Sequence, residues 1–204
     1  MAGKCGQTYR IDPRVSPDPC NALTQGPAGL SAPRVDIVAD PGLKVTAPGA
    51  GDCPQTWRVG VDASWAQTPP LTFQQQVTGA DHAWERIADV PTIAVPRAGI
   101  WEVDYSARGA VGNAGTTEYL TAGIFTNGAL IPGSETMVAG ATGTNTGAQA
   151  TGGMSFVHEF AAGDTVELWA YRIGQDGNAY ILSNDDGRTS VMMHWLGPAG
   201  DTYA

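Results

Sequence analysis

Lysine is almost missing from this 204-residue chain. Lys4 and Lys44 stand beside nine arginines, and 20 acidic residues bring the formal net charge to −9. Such a chain has no basic face with which to track a phosphate backbone, which excludes the nucleic-acid-binding classes. Cysteine stops at Cys53; only Cys5 and Cys20 precede it. An odd count without a Cys-x-x-Cys pair gives no zinc site, and the expectation is free thiols packed as small apolar groups rather than a Cys5–Cys20 bridge. No apolar run approaches the roughly 18 residues of a membrane span. The opening "MAGKCGQTYRIDP" lacks an apolar signal core, so the expectation is synthesis in a cytosol. No stretch carries a helical period.

Recognisable chemistry is scarce as well. No G-x-S-x-G elbow occurs, and no Gly-Lys-Ser/Thr follows the Gly-rich stretch "GATGTNTGAQATGG" (140–153). An EF-type calcium loop begun at Asp176 would put Tyr180 and Ile181 where an oxygen ligand and a glycine are required. The Asx residues around 176–186 therefore read as turn formers, with an irregular calcium site at a loop end as the alternative. Carboxylates such as Glu102, Asp104 and Glu167 alternate onto polar strand faces, the ordinary place for solvated charge. The three histidines, His82, His158 and His194, have no nucleophile and orienter placed with them by any motif. No catalytic residue, resident metal or cofactor is expected.

What the chain has in quantity is glycine, 27 residues, and turn punctuation. Eight of its 14 prolines fall between Pro13 and Pro54. Proline breaks helices and central strands, so residues 1–56 read as an extended, punctuated arm. Tyr9, Ile11, Val35, Ile37 and Val45 would be costly to leave in water, and the arm is expected to lie on something through them. From Trp57 onward the pattern is strand-like. "WRVGVDASW" alternates. "IWEVDYSARG" sets Trp101, Val103, Tyr105 and Ala107 against Glu102, Asp104, Ser106 and Arg108. "MSFVHEF" sets Met154, Phe156, His158 and Phe160 on one face, and "DTVELWAYRI" sets Val166, Leu168 and Ala170 opposite Glu167, Trp169 and Tyr171. "SVMMHWL" (190–196) is nearly all apolar, which predicts a strand buried on both faces. Asn127-Gly128 and Pro132-Gly133 mark a hairpin and a turn, and 140–153 reads as a solvent loop or flexible tip. Many short strands at this spacing make an antiparallel sandwich or barrel.

The order of these stations resembles the C1q/TNF-like jelly roll. "AGIWEVDYS" (98–106) is similar to that family's aromatic strand, "GIFTNGALIPGS" (123–134) to its next strand, hairpin and turn, "FAAGDTVELWA" (160–170) to its Ala-Gly-Asp strand start, and "SVMMHWLGP" to its closing strand. The resemblance implies an all-β antiparallel jelly-roll β-sandwich over residues 57–204, matched most closely over 57–197. It also implies a homotrimer in which one sheet of each protomer faces a threefold axis. Trp101, Tyr105, Phe156, His158, Phe160, Met192, Met193, His194 and Trp195 are the residues expected in the core or at the trimer seam.

An N-terminal docking arm ahead of such a head resembles the virion surface proteins of tailed bacteriophages: capsid decorations, head fibres or tail proteins. The function this implies is non-enzymatic. The arm would dock on a capsid or tail protein, and a trimeric head made in the bacterial cytoplasm would face solvent on the virion, adhesive to host surface glycans. Asn113, Asn145, Asp176, Asn178, Tyr180, Asp185, Asp186 and Arg188 lie in the loops expected to meet a ligand, with Trp169, Tyr171 and Tyr180 as stacking platforms if exposed. The alternatives are a bacterial C1q-like lectin or interaction module outside any virion and, behind it, a carbohydrate-active enzyme.

Overall fold

The computed structural model describes residues 24–26, 29–31, 43–47, 57–61, 63–142, 146–175 and 177–200. Two compact units divide the chain, Met1–Val38 and Ala39–Ala204. In the first, β1 (Thr24–Gly26) and β2 (Gly29–Ser31) pair antiparallel, with Gln25 opposite Leu30. Tyr9, Ile11, Val35 and Ile37 lie outside the described residues. Val45 belongs to the second unit, in β3 (Leu43–Thr46), which pairs with β4 (Arg58–Val61) so that Val45 opposes Val59. The alternation read across "WRVGVDASW" is divided between β4 and the next strand, β5 (Trp65–Gln67), and Val59 remains 61% exposed. A two-stranded ribbon covers neither of its own faces.

The remaining strands are β6 (Thr72–Gln76), β7 (Glu85–Arg86), β8 (Ile93–Ala94), β9 (Gly99–Ala114), β10 (Glu118–Thr126), β11 (Ala129–Leu130), β12 (Thr136–Ala141), β13 (Thr146–Phe160), β14 (Thr165–Ile173), β15 (Asn178–Asn184) and β16 (Ser190–Gly197). Several are collinear pieces of one row. β5 and β6 line one side of β16 and β15, while β9 lines the other. β7 and β8 both lie along β14, and β11 and β12 both lie along β10. Counted in chain order, this makes eight rows: β5/β6, β7/β8, β9, β10, β11/β12, β13, β14 and β15/β16. One sheet runs first, eighth, third, sixth; the other runs second, seventh, fourth, fifth. First with eighth, second with seventh, third with sixth and fourth with fifth are all antiparallel pairs. That nested pairing is the rolled-up arrangement of a jelly roll, so the all-β jelly-roll sandwich expected from the sequence is the fold.

The core lies between the two sheets, and period-2 alternation fills it. Trp101, Val103, Tyr105 and Ala107 of β9 are buried, as are Val166, Leu168 and Ala170 of β14 and Leu120, Ala122 and Ile124 of β10. Val191, Met193 and Trp195 come from β16. Phe160 is buried, and Met154 and Phe156 pack against the cluster from the same face of β13. Tyr105 crosses the sandwich. Its hydroxyl donates to the carbonyl oxygen of Ser134, with that of Ala122 3.1 Å away. Burial first, and the charge of Glu135 second, push this phenol well above the usual tyrosine range. At the rim of the second sheet Arg172 and Glu118, almost fully buried, form an ion pair at 2.5 Å. Arg172 also donates to the carbonyl oxygens of Gly174 and Gly177.

The hairpin is a two-residue loop: Thr126 opposes Ala129, and both turn residues have positive φ, Asn127 at 50° and Gly128 at 80°. Two expectations need correction. The 140–153 stretch is not a loop throughout, because β12 runs to Ala141 and β13 begins at Thr146. Its side chains are small because the backbones come close. A Cβ on Gly152 would sit 2.6 Å from the Met137 carbonyl oxygen. The 190–196 run is buried on one face only. In the single chain Met192 is half-buried, His194 is exposed and Leu196 is 53% exposed, because this sheet has the core on one side and nothing from the described residues layered on the other.

Candidate functional site: the outward face of the first sheet

The alternation that drives Trp101, Val191 and Met193 inward turns their neighbours outward. At the Ile100 end of the sheet this outward face carries Trp65, His194, Glu102 and Val157, in register across all four rows. Trp65 is 60% and Val157 59% exposed. Leu196, Met192 and Ile100 extend the patch, and the carboxylates of Glu102 and Asp104 lie within it.

The far end of the same face is different. Ala110, Tyr180, Gln149 and Gln76 stand in one register line and Arg108, Leu182, Thr151 and Gln74 in the next. Here the surface dips into a groove of about 470 Å³. Tyr180 and Leu182 form its apolar wall, and Gln74, Gln149 and Asn178 bring amides to it. From Glu102 to Ala110 at about 3.3 Å per residue, the two ends lie roughly 26 Å apart. Arg108, beside the groove, donates to Gln149 at 2.8 Å and pairs with Asp186 at 3.2 Å. Arg188 pairs with the same carboxylate at 3.3 Å. Burial pushes the pKa of Asp186 up, but the N–H groups of Arg188 and Asn184 and the two guanidiniums outweigh it, and the net shift is downward.

The expected site residues thus separate. Asn178 and Tyr180 line the groove, while Asp185, Asp186 and Arg188 sit on the exposed excursion between β15 and β16. Asn113 falls within β9 rather than in a loop, and Asn145 and Asp176 lie outside the described residues. Trp101, Tyr105, Phe160, Met193 and Trp195 are core residues, Phe156 and Met192 half-buried, and His194 exposed on the outward face. His158 packs edge-on against Phe160 at 4.6 Å. Trp169 and Tyr171 belong to a cluster on the outer face of the second sheet. Phe125 stacks on Trp169 at 4.4 Å, and Trp84 meets Phe125 at 5.1 Å and Tyr171 at 4.6 Å. His82 stacks on Tyr171 at 5.6 Å, its ring 3.0 Å from Asp81. The Gly174 N–H, donated to Asp81 at 3.0 Å, is the main cause that lowers the pKa of that carboxyl. Trp84 and the glutamines of β6 were not picked out from the sequence. The glutamines did carry a signal: Gln74 and Gln76 alternate with Phe73 and Val77, as polar groups on a strand's open face do.

Among the described residues no group of three or more His, Cys, Asp or Glu is placed to hold a metal ion, and no helix is long and apolar enough to cross a membrane.

Fold and outward face together define a jelly-roll β-sandwich with a polar groove at one end of a partly apolar sheet. No protein-family model and no curated protein matches the chain. Among solved structures it is similar to the Eiger TNF from S. frugiperda, at 10% identity and a TM-score of 0.39, over 70% of this chain and 98% of that one. The jelly-roll assignment itself rests on the strand pairing.

Proposed function

We propose that this chain is a non-enzymatic structural protein of a tailed-phage virion surface: a homotrimer of jelly-roll heads, carried on the particle by the N-terminal arm and adhesive to host surface glycans. The observation that carries the trimer is the apolar half of the outward face. Trp65, Val157 and Leu196, each more than half exposed in the single chain, stand on one face of one sheet together with Met192 and Ile100. Apolar groups gathered in this way mark a contact surface, and a closed ring of like subunits covers them without leaving an open end. The virion reading is supported by the proline-punctuated arm ahead of the head and by the absence of any catalytic motif in the sequence.

Sedimentation of the full chain at micromolar concentration tests the assembly. A trimer is expected, and a stable monomer would sink the proposal. Immunogold electron microscopy of purified particles tests the location. Deleting residues 1–38, the first compact unit, should leave the trimer intact and abolish docking.

A further inference from the structure

Of all the surfaces on the head, the groove at the Tyr180 end combines concavity with unspent hydrogen-bonding capacity. Among the described residues neither the Gln74 amide nor the Tyr180 hydroxyl has a hydrogen-bond partner. Asn178 uses its oxygen to accept from Gln76 at 3.2 Å, and Gln149 uses its oxygen to accept from Arg108. Both keep their NH₂ donors. The groove therefore offers amide donors, an amide acceptor and a hydroxyl beside one aromatic ring.

It offers no net charge. The lining holds no Asp, Glu, Lys, Arg or His. The neighbouring guanidiniums of Arg108 and Arg188 both pair with the carboxylate of Asp186, and neither arginine lines the groove. An anion would find no cation in the groove, and a cation would find no carboxylate. A purely apolar ligand would bury the amides without hydrogen-bond partners, leaving their lost hydration uncompensated. Dense, uncharged donors and acceptors flanking apolar C–H faces are what this lining complements. A volume of about 470 Å³ lies within the range of ligand sites, about 300–1,000 Å³.

We infer that this groove binds a neutral, polyhydroxylated ligand, an uncharged glycan unit, with Tyr180 as the stacking surface and Gln74, Gln149 and Asn178 as the hydroxyl-reading groups. The inference rests on the adhesive part of the function proposed above and assigns it to one place. The groove lies at the opposite end of the sheet from Trp65 and Val157, so a trimer closed through those residues leaves it open.

The test uses the full-length protein, ¹⁵N-labelled, titrated separately with maltose, cellobiose, lactose and, as charged comparisons, 3′-sialyllactose and digalacturonic acid. At least one neutral disaccharide should shift the side-chain amide signals of Gln74, Gln149 and Asn178, and the acidic sugars should not. Tyr180→Ala should weaken that binding by tenfold or more. Gln74→Ala, at an exposed strand position where folding is not at risk, should weaken it severalfold. The inference is overturned if no neutral sugar moves these signals at millimolar concentration, if an acidic sugar binds better, or if both variants bind like the parent. It is also overturned if the amides are already shielded from a soluble relaxation agent in the sugar-free trimer, since the groove would then be filled by a second copy. Sedimentation of the same samples reports the assembly independently, so a trimer with a silent groove sinks this inference alone.

Discussion

Replacing Gly123 by alanine should destabilise the head through one identifiable contact. Gly123 lies mid-strand in β10, opposite Trp169, on the outer face of the second sheet. A Cβ there would sit 2.9 Å from Cη2 of Trp84 and 3.2 Å from Cδ1 of Leu130. Comfortable carbon–carbon contact begins near 3.5 Å, so the shortfall against the indole is roughly 0.6 Å. The indole has little room to retreat, because Phe125 and Tyr171 meet it at 5.1 and 4.6 Å. Overpacking of this kind costs about 1–3 kcal/mol. Loss of glycine's freedom in the unfolded chain offsets about 0.4–1 kcal/mol of that. The net expectation is about 1–2 kcal/mol of destabilisation. With a urea slope near 2 kcal/mol/M, the midpoint should fall by roughly 0.5–1 M at fixed protein concentration, held fixed because assembly is linked to stability. The decisive measurement is a double-mutant cycle with Trp84→Leu. In that background the indole is gone, and Gly123→Ala should become neutral or slightly stabilising, a coupling of about 2 kcal/mol. Equal losses in both backgrounds would refute the reasoning and place the strain in the strand itself.

Four further outcomes follow from the same structure. Leu196→Glu and Trp65→Glu, both at exposed positions, should each convert the proposed trimer to a folded monomer, seen as a drop in sedimentation coefficient with unchanged far-ultraviolet dichroism. Arg172→Met should cost about 3–5 kcal/mol by breaking the buried ion pair with Glu118, and Glu118→Met/Arg172→Met together should recover most of it in urea denaturation. Tyr105→Phe should cost about 1–3 kcal/mol by leaving the Ser134 carbonyl without its donor. The raised Tyr105 pKa stabilises the fold fully below the unfolded value, so in the parent that contribution is lost as pH rises past about 10, and tyrosinate absorbance should show this phenol ionising only on unfolding. Asp164 works in the opposite direction. The Asn127 amide at 2.8 Å, then the Ala161 N–H at 2.7 Å, lower its pKa. Its contribution is present above the unfolded value and lost as pH falls below about 4, so Asp164→Asn should flatten the acid limb of the stability profile.

What the sequence disclosed and what it withheld divide along physical lines. Strand alternation is local, so Trp101 to Ala107 announces its buried face, and Asn127-Gly128 announces a turn because few residue pairs accept two positive φ angles. Which rows become neighbours is not local. Tyr180 and Gln74 share a groove only because the first and eighth rows pair, and nothing near either residue says so. Size was misleading as well: the small residues of 146–153 look like loop composition, while their smallness serves close approach of β13 to β12. The closing strand shows the same limit from another side. Its apolar composition is plain in the sequence, but whether its second face meets a core or a subunit depends on what lies beyond the chain.

The eighth row carries one feature whose consequence is practical. Leu182 opposes Arg108 and Ser190 opposes Ser106 on β9, so seven residues of this row pass where the partner strand has only Ala107. The neck of the excursion is clamped. The Thr189 hydroxyl donates to the Leu182 carbonyl oxygen at 2.6 Å and accepts from the Arg108 N–H at 3.0 Å. Pairing on either side is thus insulated from whatever the tip does. Residues 185–188, all exposed, form a ready port for grafted sequence, where a foreign epitope or a diversified library could be spliced into the head without renegotiating the fold.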